Sequence, residues 1–124
     1  MSDDTYISFY LRESKIHIFR KTLVEIGNPK FIRFRVHEDG KSMIMEAYHK
    51  KDFQSHRVPK KIRENWQMEL RSSPLCSLIK NRLDWKEGKS YRIPGKAYPG
   101  QQLAVFDLTK AIMIETSEKG DNNT

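Results

Sequence analysis

Arg33 and Arg35 stand two apart in Phe31-Ile32-Arg33-Phe34-Arg35-Val36, where Ile32, Phe34 and Val36 alternate with them. Alternate residues of a β-strand project to one side, so the two guanidinium groups share a face. Paired cations of this kind hold phosphate oxygens, and Phe31 on the same face offers a ring on which a base can stack. Lys41 follows in the same hairpin, Arg20 and Lys21 lead into a first helix, and Lys80 and Arg82 sit on a second. Lys50, Lys51, Lys60, Lys61 and Arg63 add base to the segment between. Phosphate binding through counterion release depends on the number of cations more than on their spacing. Arg20, Lys21, Arg33, Arg35, Lys41, Lys80 and Arg82 are therefore the candidate nucleic-acid-binding residues. The plainer reading of each cluster is a solvated cationic face.

Other chemistry finds little support. None of His17, His37, His49 and His56 has the helical partner four residues away that a zinc hydrolase uses. His17 falls on the polar face of a strand and His37 in a turn, and both read as solvated. His49, Asp52 and His56 would share a helix face, but Pro59 and the polarity around them argue against a helix. No glycine-rich phosphate loop and no Gly-x-Ser-x-Gly elbow is present. Glu38, Asp39 and Glu46 flank a hairpin as ordinary solvating carboxylates. No catalytic constellation, metal or cofactor is expected. The single cysteine, Cys76, excludes an intramolecular disulfide and a cysteine zinc site, and it reads as a small core residue of the second helix.

The chain has 124 residues, the usual size of one domain. It carries 23 Lys+Arg against 16 Asp+Glu, a formal net charge of +7. A basic domain attracts polyanions. The expected function is non-catalytic binding of nucleic acid through phosphate contacts, without sequence readout. The alternative is a protein-interaction module or accessory subunit that meets an acidic partner. The acidic start Met1-Ser2-Asp3-Asp4 precedes no apolar run of signal-peptide type, and no stretch approaches the ~20 apolar residues that span a bilayer. A cytoplasmic protein without a membrane partner is expected.

The elements that position these residues recur. Lys15-Ile16-His17-Ile18-Phe19 alternates as a strand, and Thr22 is placed to cap a helix over Leu23-Val24-Glu25-Ile26. Gly27 and Pro29 end that helix. Phe31 to Val36 returns through His37-Glu38-Asp39-Gly40 into Ser42 to Tyr48, a hairpin with an Asp-Gly turn. A basic connection follows, with a short strand at His56-Arg57-Val58. Trp66-Gln67-Met68-Glu69-Leu70 opens a second half, and Ser72/Ser73 before Pro74 starts a helix whose Leu75, Leu78, Ile79 and Leu83 recur at helical spacing. Strands at Tyr91-Arg92-Ile93 and Leu103 to Leu108 follow, with bends at Gly95 and Pro99-Gly100, and Ala111 to Ile114 is either a final strand or a continuation after a kink.

The expected fold class is α+β: a single domain of two pseudo-repeated β-α-β-β units, mainly antiparallel sheet with two short helices. Residues 1–14 form an N-terminal arm or edge strand, 15–115 the duplicated domain, with halves about 15–48 and 65–115 joined by 49–64, and 116–124 a disordered tail. Leu23, Ile26, Leu75, Leu78 and Ile79 are expected to pack on Ile18, Phe34, Met68, Val105 and Ile114. The aromatic arm Tyr6 to Leu11 and open strand edges predict a homo-oligomer through sheet extension.

In this order of elements the chain resembles one domain of a DNA polymerase sliding clamp, with folds like the TATA-binding protein a second analogue. The resemblance covers roughly residues 15–115 and rests on element order and charge. It implies a clamp-like protein whose helices turn cations toward the DNA backbone, here Arg20, Lys21, Lys80 and Arg82. Ile26-Gly27-Asn28-Pro29-Lys30 resembles a box found in small bacterial proteins.

Overall fold

The computed structural model describes residues 4–59 and 67–114. Trp66 and the tail from Thr116 onward lie outside the described residues. The chain forms an α+β fold, mostly antiparallel sheet with two short helices. The strands are β1 (Asp4–Tyr10), β2 (Lys15–Phe19), β3 (Phe31–Val36), β4 (Ser42–Tyr48), β5 (Ser55–Arg57), β6 (Gln67–Arg71), β7 (Ser90–Tyr98), β8 (Leu103–Asp107) and β9 (Ile112–Ile114). The helices are α1 (Arg20–Glu25) and α2 (Ser73–Leu83). Eight strands make one path, β5-β3-β4-β8-β7-β1-β2-β6, and β9 pairs with β7.

The core follows from strand alternation. One face of the sheet presents rows of directly opposed apolar residues: Met68, Ile18, Ile7 and Ile93 in one, Phe106 and Met43 in another. Leu23 and Ile26 of the first helical segment, and Cys76 and Ile79 of α2, belong to the same buried cluster. Each such side chain removed from water contributes about 1.5–3 kcal/mol. Both helices therefore lie against this inner face. Trp85, just past α2, packs edge-on against Phe9 at 5.5 Å and stacks on Tyr91 at 4.2 Å.

Local chemistry explains most boundaries. The Ser72 hydroxyl accepts from the Leu75 N–H at 3.3 Å, capping α2, and Asp84 in the left-handed region ends it. The β3–β4 turn closes with Gly40 N–H donating to the His37 carbonyl at 2.8 Å, with Gly40 at a φ of +72°. α1 begins earlier than the sequence predicts. Phe19 precedes it, so Thr22 lies inside the helix, where it is buried and shares a hydrogen bond with Thr5 at 2.5 Å. A capping hydroxyl has become an internal tie between α1 and β1.

Four further expectations change. β1 is neither arm nor edge, because it lies between β2 and β7 and is paired along both sides. β7 runs straight through Gly95 instead of bending there. A Cβ on Gly95 would sit 2.4 Å from Phe106 Cδ1, so the glycine serves a close approach. Leu78 is 45% exposed, because α2 turns Cys76 and Ile79 inward instead. Val105 lies on the outer face between buried Ala104 and Phe106. That run is apolar on both faces, so its parity was not fixed by pattern.

The order strand, helix, three strands occurs at β2-α1-β3-β4-β5 and at β6-α2-β7-β8-β9. The pairing differs. β4 and β5 flank opposite edges of β3, whereas β8 and β9 share one edge of β7 because β1 occupies the other.

Candidate nucleic-acid interface

Among the described residues no helix covers the outer face of the sheet. Its side chains are fixed by register. Ser8 faces His17 on one side and Arg92 on the other, and His17 faces Glu69. Two residues along β1 in either direction, on the same face, stand Tyr6 and Tyr10. Arg92 lies over the Tyr6 ring at 5.4 Å, and Lys96 lies 5.9 Å from the Tyr98 ring. Arg33 lies over Tyr48 at 4.4 Å. Each contact is worth about 0.5–1 kcal/mol at exposed positions.

The registers order these groups along a diagonal. Tyr10 and Tyr6 are four residues apart on β1, about 13 Å in an extended strand. Tyr6 opposes Pro94, and Tyr98 lies four residues further along β7, a similar step. Tyr98 opposes Leu103, which opposes Glu46, which opposes Arg33. Arg92 thus falls between Tyr10 and Tyr6 and Lys96 between Tyr6 and Tyr98, while Arg33 on β3 lies beyond Tyr48 of β4. Tyr6 and Tyr98 are 40% and 39% exposed. Cations and phenol rings alternate from Tyr10 to Tyr98, and Arg33 with Tyr48 stands at the far side.

Two polar atoms in the middle of this track are buried without a hydrogen-bond partner: Arg92 Nε and His17 Nε2. His17 Nε2 lies 3.4 Å from Glu69 Oε1, close enough for attraction but without hydrogen-bond geometry. The His17 ring also tilts against Tyr10 at 4.7 Å. His17 is therefore packed, where the alternation of β2 alone suggested a solvated group.

The candidate cations fall in three places. Arg33 and Arg35 do share the outer face, but both are bound by Glu46. Arg33 Nε donates to Glu46 Oε2 at 2.8 Å, Arg33 Nη2 donates to the same oxygen, and Arg35 donates to both oxygens at 3.2 Å. Burial alone would raise the Glu46 carboxyl, yet the two guanidinium groups hold it below its ordinary value. One cation in excess remains from the pair. Arg20 and Lys21 line a groove with Tyr6 and Phe19 at the end of β1 and β2. Lys41 borders the outer face in a groove with Lys96, Lys110, Asp39 and Asp107. Lys80 and Arg82 are on the helix side: Lys80 pairs with Glu87 at 2.9 Å, and Arg82 reaches the hairpin turn beside Gly40.

Sequence reading missed Arg92, Lys96, Tyr6, Tyr10 and Tyr98 as neighbours. A signal existed in the alternation of Tyr6-Ile7-Ser8-Phe9-Tyr10, but the partner strands come from 80 to 90 residues away, which no local pattern announces.

The remaining groups are occupied otherwise. The Tyr48 hydroxyl donates to Asp52 Oδ2 at 2.9 Å, which lowers the Asp52 carboxyl and raises the phenol. His56 of β5 packs edge-on against Phe34 of β3. Among the described residues no three His, Cys, Asp or Glu side chains gather as a metal site. Burial pushes the Cys76 thiol up to about 11, so it is a poor nucleophile at neutral pH.

Comparison with protein-family models, with curated proteins and with solved structures finds no match. Among the described residues no helix is long and apolar enough to cross a membrane.

Proposed function

We propose that the protein binds nucleic acid without catalysis and without sequence readout, laying the phosphate backbone across the uncovered face of its sheet. The observation that carries this reading is the alternation of Arg92 and Lys96 with Tyr10, Tyr6 and Tyr98 on that face, with Arg33 over Tyr48 at its far side. The net charge of +7 supports it by raising the local concentration of polyanion. Arg92, Lys96, Lys41 and the excess cation of the Arg33–Arg35 pair contact phosphate. Arg20 and Lys21 extend the track at the β1–β2 end. Lys80 and Arg82, the helix cations of a clamp-like arrangement, take a secondary part. A duplicated origin of the two units belongs to the same proposal, supported by the element order, and superposition of the halves tests it.

The test is a titration of duplex and single-stranded oligonucleotides over a salt series. With about four phosphate contacts, affinity falls roughly fiftyfold for a single strand and roughly 150-fold for a duplex between about 50 and 200 mM salt. Lys96→Glu and Arg35→Glu weaken binding for every sequence alike. An absence of binding at low salt removes the proposal.

A second reading draws on a groove of about 440 Å³ between β3, the β4–β5 turn, β5 and α2, lined by Phe34, Phe53, Leu75 and Leu78 and bordered by Arg33 and Arg35. An apolar floor beside cations suits an acidic, amphipathic protein segment. Binding of such a segment in place of oligonucleotides is the result that favours it.

A further inference from the structure

Resting on the nucleic-acid reading above, we infer that the ligand is a single strand with its bases splayed out, because the open face presents separate stacking platforms at Tyr10, Tyr6 and Tyr98. The platforms are separated by two steps of about 13 Å each. Bases in a duplex are stacked on one another about 3.4 Å apart and face inward, so none can reach a ring on a protein surface. An extended single strand has no such restriction. Its bases turn toward aromatic rings while its phosphates meet the cations between them.

The side chains fit this division of labour. Ser8 is small and buried between Tyr6 and Tyr10, so the cation of this interval comes from Arg92 on the neighbouring strand. Arg92, on the neighbouring strand, has Nε buried without a protein partner. A phosphate oxygen meets the Arg92 guanidinium where it lies over the Tyr6 ring. Lys96 serves the next interval, toward Tyr98. Both Tyr6 and Tyr98 keep about two fifths of their surface open although a cation sits on each. Base stacking of this kind is indifferent to sequence, since every base has a π-face.

The experiment uses the full chain and three fluorescent probes: a single-stranded oligonucleotide of about 12 nucleotides, the same strand with abasic sites, and the corresponding duplex. A glutamate-rich peptide of equal charge is the fourth arm. The intact strand is expected to bind about tenfold or more tighter than the abasic strand and the duplex. Tyr6→Ala is expected to remove most of that preference, and Tyr6→Phe, which keeps the ring, to retain it. Circular dichroism and a thermal melt of both variants show that the sheet is intact. If Tyr6→Ala does not fold, Tyr98→Ala, at an exposed strand end, carries the same comparison. Equal binding of intact and abasic strands overturns the stacking inference and leaves the phosphate reading standing. No binding of any oligonucleotide overturns both. Binding of the acidic peptide as tightly as the intact strand also overturns both, since the face would then be reading charge alone.

Discussion

Phe106 of β8 lies directly opposite Gly95 of β7, and its ring fills the space a Cβ at Gly95 would occupy. The Val105 carbonyl oxygen is also only 2.7 Å from that position, so neither a rotamer change nor a small shift makes room. Gly95→Ala is expected to destabilise the fold by about 3 kcal/mol, the upper part of the overpacking range. Urea denaturation followed by tryptophan fluorescence measures it. A loss below about 0.5 kcal/mol contradicts the assignment of this glycine to close packing.

Thr5 and Thr22 tie β1 to α1 through a buried hydroxyl pair. Thr22→Val keeps the shape but leaves the Thr5 hydroxyl without its partner, at a cost of about 1–3 kcal/mol. Replacing both threonines by valine should recover part of that loss. A double-mutant cycle in urea reads the coupling, and strictly additive losses speak against the tie.

His56 is held below its ordinary value of 6.5 by burial against Phe34. The unfolded chain binds the proton more readily, so this part of the stability is present above pH 6.5 and is lost as the pH falls through the lower folded value. Melting temperatures measured between roughly pH 7 and 5 should fall less in His56→Leu than in the wild type. Parallel slopes would show that His56 is not a source of the acid sensitivity.

Glu46 binds Arg33 and Arg35 together. Glu46→Gln removes the negative charge and leaves two cations facing solvent on the open face. Oligonucleotide affinity should rise about two- to fivefold, with a steeper salt dependence. Stability at neutral pH should fall, since the depressed Glu46 carboxyl contributes stability above its ordinary 4.5 and loses it as the pH drops through the folded value. Unchanged affinity in a folded variant argues that Arg33 and Arg35 do not touch the ligand.

Much of the fold was legible in the sequence because its signals are local. The alternation of Ile32, Phe34 and Val36, the Asp39-Gly40 turn and the Ser72-Ser73-Pro74 helix start are each written within a few residues. What escaped depends on distant partners. Thr22 looks like a cap until Thr5 is placed beside it, and Gly95 looks like a bend until Phe106 is placed on it. Tyr6 to Leu11 looks like an arm because nothing local announces that β7 will pair with it. The candidate site shows the same division. Arg33 and Arg35 were readable as a pair on one face, but their capture by Glu46 needed the β3–β4 register. The tyrosine track needed the pairing of β1 with β7, two strands separated by most of the chain.

The most direct test of the account is a map of amide resonances in isotope-labelled protein as a single-stranded oligonucleotide is added. The account predicts that shifts concentrate on β1 and β7, at Tyr6, Ser8, Arg92, Lys96 and Tyr98, and extend toward Arg33 and Tyr48. Shifts confined to α2 around Lys80 and Arg82, or no shifts at low salt, would contradict it.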